Sequence, residues 1–589
     1  MKGLILLPLF LFLGSLCPSE AANILCLVST AKHNNPGWSK PLFDALVAKG
    51  HTLLVISTAP NPEPKKQVDG LLYYHLPNDY DVMKKHFIRE DTKEYQEMVT
   101  LKQLLVWYEV LLGSCRAVLN SNAMNSMMPE LTAQLAVDFD LIITDITHGI
   151  ECLMDAVPIW RSKPILGLSA GKLTPDLISL IQAENTINPA RTPHYISQVP
   201  KKMGFWNRLH NHIMFYAEPL IRFVIVRPVL NGLVTNENAF PTLQLVLLNT
   251  HPTLDYVQNL PPGVIEVGGL HIKSKVDPLP TYIQEFTEKF SDGIVYINMP
   301  YIEYMNGQGI KAVTEMILNN PNCGFIWNVE QLEQIPADIS NLITLHVDQS
   351  LQQDILGLSS LKGFLNHGDS FSLQEAVHNG VPVVVLPLKL EEFNNAQRVL
   401  ERKLGVVVQA SGFNKKSLAI ALKQVLNDES ISSALYQAQL KFRTRPQSPL
   451  ELAVWHAEQL IAEPRFYKDF AQTEALAQNF IVAHSVDVIV IPVLIILAVA
   501  VNVGHLVIVL FTRGSKGQQD PILDEESKSE VPKKRKKLKK ISKSCAPTNI
   551  TLKESATDSV KDLKDEIFER EKELLLQEEE KPSLEKKYD

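Results

Sequence analysis

Cysteine is scarce in this chain, at six in 589 residues. Cys17 lies in an apolar leader and Cys545 in a charged tail, which leaves Cys26, Cys115, Cys152 and Cys323 scattered between them. With no Cys-x-x-Cys pair and no Cys/His cluster, neither a disulfide framework nor a metal site is expected. Positive charge is not in excess either. The formal net charge is −8, and no basic field covers the central part, which argues against nucleic acid as a partner. The Asn-x-Ser/Thr acceptor pattern occurs only at Asn549-Ile550-Thr551, near the carboxyl end, so no N-glycan is expected on the central part.

Long apolar runs are confined to the two ends. Lys2 precedes a run from Leu4 to Leu13 that is too short to span a bilayer, and small residues follow at Ala21-Ala22. Together these predict a signal peptide over 1–21. Val488 to Phe511 is long enough to cross as a helix, at roughly 20 or more residues. Arg513 and Lys516 follow it and Asp487 precedes it, so the positive flank places the tail on the cytosolic side. The expected order is a juxtamembrane segment over 463–486, a transmembrane helix over 487–511 and a charged cytosolic tail over 512–589. Within the tail, Lys533 to Lys540 suits anionic lipid headgroups. The terminal Lys586-Lys587-Tyr588-Asp589 resembles the dilysine retrieval signal of endoplasmic-reticulum residents. The expected topology is single-pass type I with the bulk lumenal.

Between the ends, apolar runs and helical stretches alternate. Asn23–Val28 and His51–Ile56 read as strands around a helix over Ser39–Lys49, and strands recur at Asp140–Thr144 and Lys163–Gly167. A second series starts near Gly293, with strands at Ile294–Ile297, Gly324–Trp327, Gly363–Leu365, Pro382–Leu386 and Gly405–Gln409. This alternation predicts an α/β fold with two doubly wound domains, over 22–270 and 271–462. The run from His212 to Val226, with Arg222 interleaved, reads equally as an amphipathic surface element or as core helices.

Chemistry concentrates between Gly363 and Ala396. His367-Gly368-Asp369, Ser372, Glu375-Ala376, Gly380-Val381-Pro382, Pro387, Glu391-Glu392 and Asn395 resemble the signature of the membrane-bound UDP-glycosyltransferases, the class that includes the glucuronosyltransferases. Ile265 to Ile272 resembles that family's interdomain linker. Phe442–Leu450 and Ala453–Ile461 resemble its carboxyl-terminal elements. The resemblance implies two Rossmann-like domains facing a cleft, the GT-B arrangement. It also implies an inverting transfer from a UDP-sugar, with no other cofactor and no metal, to a small lipophilic acceptor. Membrane lipid and homo- or hetero-oligomers with related transferases complete the implied partners.

Carried over position by position, the resemblance assigns His367, Gly368 and Ser372 to the diphosphate, Gln352 and Glu375 to the nucleoside, and Glu391, Glu392 and Asn395 to the sugar end. Asp145 becomes the acid that orients the base. The base position itself is Asn35, which takes no proton near neutral pH, with His33 as a nearby substitute. Other family contacts are replaced too. Asp369 stands for a glycine, Pro300-Tyr301 for a Gly-Ser loop, and Gln349 for a stacking tryptophan. Unit charges about 4 Å apart repel by roughly 4 kcal/mol at an effective dielectric near 20, so Asp369 should oppose a diphosphate. The acidic Asp369, Glu391 and Glu392 favour a neutral hexose over glucuronate. Two readings stay open: a hexosyltransferase with altered donor use, or a non-catalytic relative that binds a ligand or regulates a partner.

Overall fold

The structure is a computed structural model that describes residues 21–28, 37–58, 68–76, 98–126, 138–147, 153, 163–181, 187–229, 243–299, 302, 308–329, 335–336, 338–346, 351–467, 482 and 486–514. The leader run, His33, Asn35, Cys152, Pro300-Tyr301, Gln349 and the tail with Lys586-Lys587 lie outside the described residues.

Two all-parallel sheets organise the chain. The first contains β1 (Asn23–Val28), β2 (Thr52–Ser57), β3 (Leu71–His75), β4 (Leu141–Asp145), β5 (Ile165–Ser169), β6 (Leu245–Leu248) and β7 (Val264–Glu266), in the order β3-β2-β1-β4-β5-β6-β7. The second contains β8 (Ile294–Asn298), β9 (Gly324–Val329), β10 (Leu342–His346), β11 (Leu361–Asn366), β12 (Val383–Val385) and β13 (Gly405–Val407), in the order β10-β9-β8-β11-β12-β13. Both orders reverse beside the first strand, at β1/β4 and at β8/β11, which opens a crevice at the carboxyl ends of those strands.

Apolar residues on both strand faces explain the layering. In β1, Ile24, Cys26 and Val28 enter one core while Leu25 and Leu27 enter the other. In β8, Val295 and Ile297 divide from Ile294 and Tyr296 in the same way. Cys26, Cys115 and Cys323 are buried, and Cys26 and Cys323 are free thiols.

Helices needed below are α1 (Lys40–Ala48), α2 (Thr100–Leu119), α3 (Phe205–Ile221), α4 (Ser370–Asn379), α5 (Leu390–Arg402), α6 (Pro449–Ala462) and α7 (Val486–Gly514). Helix α3 continues as a π turn over Arg222–Val226. It buries Asn211, Met214, Phe215 and Glu218 and exposes Phe205, Trp206, Leu209, Ile213, Tyr216 and Leu220. It is amphipathic, and its buried face joins α2 in one core, where Met214 and Val226 meet Leu104, Trp107, Tyr108 and Leu111.

Two boundaries differ from the sequence expectation. Ile265-Glu266, read as linker, belongs to β7, the edge strand of the first sheet. Helix α6, placed by sequence in a domain over 271–462, packs on the first sheet instead. Its Ala453, Val454, Ala457 and Leu460 share a core with Ile24, Cys26, Trp38, Leu42 and Leu46. Four apolar side chains at helical spacing need a buried partner face, and α1 offers it.

Helix α7 includes Val490–Val509, a segment long and apolar enough to cross a membrane.

Candidate active site

The loop after β11 is set by local chemistry. Gly368 has φ +89°, and a Cβ there would stand 2.6 Å from Val385 Cγ1, so only glycine fits. The Gly368 amide donates to Asn366 Oδ1 at 2.7 Å. Asn395 Nδ2, from α5, donates to the Gly368 carbonyl at 2.9 Å and to Ser370 Oγ at 3.2 Å. Asn395 therefore braces the loop. His367 is buried with Nδ1 2.9 Å from the Leu386 carbonyl, and burial pushes it down to about 4, leaving a neutral imidazole at neutral pH.

Asp369 corrects the sequence reading. It is the N-cap of α4, and its Oδ1 accepts from the Ser372 amide at 2.9 Å. Burial raises its pKa, an effect opposed by that hydrogen bond. One oxygen of the carboxylate is engaged by the helix end it starts, so the group stands as a helix cap and not as an unpartnered charge in the loop.

Gln352 and Glu375 do meet. Gln352, at the start of a short helix after β10, donates through Nε2 to Glu375 Oε2 at 2.6 Å and to Ser372 Oγ at 3.3 Å. Asn298, at the end of β8, donates to Gln352 Oε1. His271 Nε2 lies 3.2 Å from Glu375 Oε1. All but Asn298 are buried side chains.

Helix α5 brings the second domain to the first. Glu392, expected at the sugar, turns back instead: its Oε2 accepts from the Leu388 and Lys389 amides at 2.9 and 3.0 Å, at the start of α5. Burial raises it to about 8. Glu392 is therefore largely uncharged at neutral pH, which corrects the expectation of an added charge. Glu391 faces the first domain, and burial raises its pKa too. A methyl built on Gly171, in the loop after β5, would stand 3.7 Å from Glu391 Oε2 and 3.5 Å from Thr147 Cγ2.

Asp145 ends β4 at the first sheet's reversal point. Its Oδ1 accepts from the Thr147 amide at 3.0 Å and from the Thr147 hydroxyl. Its Oδ2 is buried and, among the described residues, has no hydrogen-bond partner. Burial lifts its pKa to about 6.

Sequence reading missed the first-domain side of this cleft. Lys172 is buried, donates to Asn394 Oδ1 and lies 3.8 Å from Asp255 Oδ1. Arg398 clamps the domains, donating through Nε to the Leu254 carbonyl at 2.9 Å and through Nη2 to that of Asp255 at 3.1 Å. A lone lysine after a strand carries no sequence signal. The i, i+3 spacing of Glu391 and Asn394 does place them on one face of α5.

Comparison with known proteins matches residues 39–518 to the model of the family described as UDP-glucoronosyl and UDP-glucosyl transferase. A UDP-glucosyltransferase 2 of Dactylopius coccus is 28% identical over 77% of this chain and 87% of its own length. A UDP-glucuronosyltransferase 3A1 of Bos taurus is 26% identical over 69% and 77% respectively. Among solved structures, the glycosyltransferase SnogD from Streptomyces nogalater covers 74% of this chain and 99% of its own at 16% identity, with a TM-score of 0.46. With a family match over most of its length and two parallel Rossmann-like sheets in the GT-B manner, the chain belongs to the UDP-glycosyltransferase family, whose chemistry is sugar transfer from a UDP-sugar.

Proposed function

We propose that this protein transfers a neutral hexose from a UDP-sugar to a small lipophilic hydroxyl acceptor, with Asp145 itself as the base. The carrying observation is Oδ2 of Asp145, buried at the reversal point of the first sheet and without a hydrogen-bond partner among the described residues. A carboxylate whose pKa is near 6 is ionised at neutral pH, yet close enough to the operating pH to accept a proton effectively. In the reaction, the acceptor oxygen attacks the anomeric carbon as its proton passes to Oδ2. The bond from that carbon to the phosphate oxygen breaks, and UDP departs with the electron pair. Neutral His367 and the amides at the start of α4 face the charge that builds on the diphosphate. The protein works as a single-pass type I protein of the endoplasmic-reticulum membrane, with α7 as its span and Lys586-Lys587 as its retrieval signal.

A non-catalytic reading draws on Glu375. Its oxygens are engaged by Gln352 and faced by His271, so a ribose would have to displace a protein partner. Thermal unfolding with UDP separates the readings. A ligand at a hundred times its Kd stabilises by about 2.7 kcal/mol, so a clear rise in Tm is expected, and no shift at millimolar UDP rejects the enzyme. Asp145→Asn should then cut turnover by about 100-fold or more with UDP binding kept. Unchanged turnover removes Asp145 as the base.

A further inference from the structure

We propose that the outward face of α3 rests on the surface of a phospholipid bilayer, so that the first domain meets the membrane through a helix of its own. The inference rests on the reading of α7 as a membrane span and is independent of which sugar is transferred.

The pattern of α3 is inverted. A surface helix ordinarily turns its apolar stripe to the core and its polar face to water. Trp206, Leu209, Ile213, Tyr216, Leu220 and Phe223 recur every three or four residues along α3 and its π turn, which sets them on one face. All six are exposed, from 42% at Leu209 to 75% at Trp206. Among the described residues before α7, no other helix exposes more than two large apolar side chains. A run of apolar surface this long marks contact with a partner or a membrane.

The inward face fixes the helix in that orientation. Asn211 Nδ2 donates to the Pro189 and Thr192 carbonyls at 2.6 and 2.8 Å, and its Oδ1 accepts from the His194 amide at 2.7 Å. Seven residues on, Glu218 Oε2 lies 2.6 Å from His194 Nε2, and its Oε1 accepts from the Tyr108 and Tyr195 hydroxyls at 3.2 and 3.1 Å. Asn211 and Glu218 are wholly buried. Turning the stripe inward would strip both of these partners, a loss that apolar burial does not recover. The stripe is held outward.

Composition chooses the occupant. Trp206 and Tyr216 suit the headgroup level of a bilayer, and Leu209, Ile213, Leu220 and Phe223 suit the acyl boundary beneath it. From Lys201 to Val229 the only acid is Glu218, which is buried. Lys201, Lys202 and Arg208 are exposed over the same stretch, where headgroup phosphates can take their charge. Glu401, which accepts from the Lys201 amide at 2.8 Å, is paired with Arg398. A second copy packed stripe to stripe would bring the like charges of two such segments together, with no exposed acid in either to answer them. Phosphates answer them directly. The bilayer is also at hand, because α7 carries Val490–Val509.

The test places the full-length protein in phosphatidylcholine nanodiscs, with and without lipid brominated high on the acyl chains, and reads tryptophan fluorescence. Bromolipid should quench the wild type, and Trp206→Phe should remove a large part of that quenching. Trp38, Trp107 and Trp327 are buried and should contribute little. Ile213→Gln with Leu220→Gln keeps Trp206 and two good helix formers. It should also lose the quenching, while melting in detergent as the wild type does, since both side chains are exposed. Quenching that is the same in wild type and Trp206→Phe would overturn the proposal. Emission that follows the number of copies per disc and not the bromine would assign the stripe to a second copy, and would overturn it as well. A chain that fails to enter the discs refutes α7 as the span, and the proposal falls with it.

Discussion

Burial changes what the acidic residues of the cleft can do. Glu392 is 1% exposed, and its folded-state pKa of about 8 stands well above the ordinary 4.5. The folded chain therefore binds an extra proton at this carboxyl between those values. Stability from this group is fully present below about pH 4.5 and is lost as pH rises through about 8. Glu392→Gln offers the same backbone amides a neutral acceptor, so the variant should lack that decline. Denaturant midpoints compared at pH 5 and pH 9 check it: wild type and variant should separate at pH 9, with the variant the more stable. Parallel profiles would mean that Glu392 is ionised throughout. Gly368 makes a different demand. With φ +89° and Val385 Cγ1 2.6 Å from any added Cβ, Gly368→Ala should cost about 1–3 kcal/mol, measured by chemical denaturation, and should loosen the loop that Asn395 braces.

Helix α4 shows how one residue serves an element before it serves a ligand. Asp369 reads from sequence as a misplaced charge because it stands where the family has glycine. In the fold, the Asp-x-x-Ser spacing of Asp369 and Ser372 makes a capped helix start. Asp369→Ala should cost about 0.5–2 kcal/mol, whereas Asp369→Asn keeps a capping oxygen and should cost little. A bare charge repelling a diphosphate by about 4 kcal/mol would give Asp369→Asn close to a thousandfold gain in UDP affinity. With the carboxylate engaged at the cap, the gain should stay below about tenfold. Thermal unfolding and UDP titration of both variants decide between the two. The strands were legible where they are continuously apolar and buried on both faces, as in β1, β8 and β11. Strand β3 was not, because Leu71, Tyr73 and Tyr74 are only half-buried and Leu72 and His75 are exposed at an edge. Glu375 and Gln352, both singled out by the motifs around them, do meet in the fold. Lys172 and Arg398 were not, because their partners are backbone carbonyls and side chains of the other domain.

At the scale of the molecule, the two domains are joined by more than a linker. The chain leaves the first sheet after β7, builds the second sheet and then returns as α6 to complete the first. Sequence order alone divides the chain at one point, which is why the domain over 271–462 took in a helix that belongs elsewhere. The return is built from specific contacts. Ser448 caps α6, with its Oγ accepting from the Glu451 amide at 3.2 Å, and Glu458 pairs with Lys49 at the end of α1 at 3.1 Å. Phe371, from the second domain, enters the same core as Ala453 and Leu460. The donor-side loop, α6 and α1 thus share one apolar cluster, and loss of α6 should be felt at both sheets. Removing it uncovers Trp38, Leu42 and Leu46 and forfeits the burial of Val454 and Leu460, each worth about 1.5–3 kcal/mol. That is a large part of a domain stability of about 5–15 kcal/mol. A chain ending at Arg445 should therefore lose cooperative unfolding in the first domain. Arg398→Ala, which removes the tie to Leu254 and Asp255, should keep both cores and separate their transitions instead. Calorimetry distinguishes the outcomes: one broadened or missing transition for the truncation, two resolved transitions for Arg398→Ala. A truncated chain that melts like the full protein would show that α6 is an accessory to the first sheet and not part of its core.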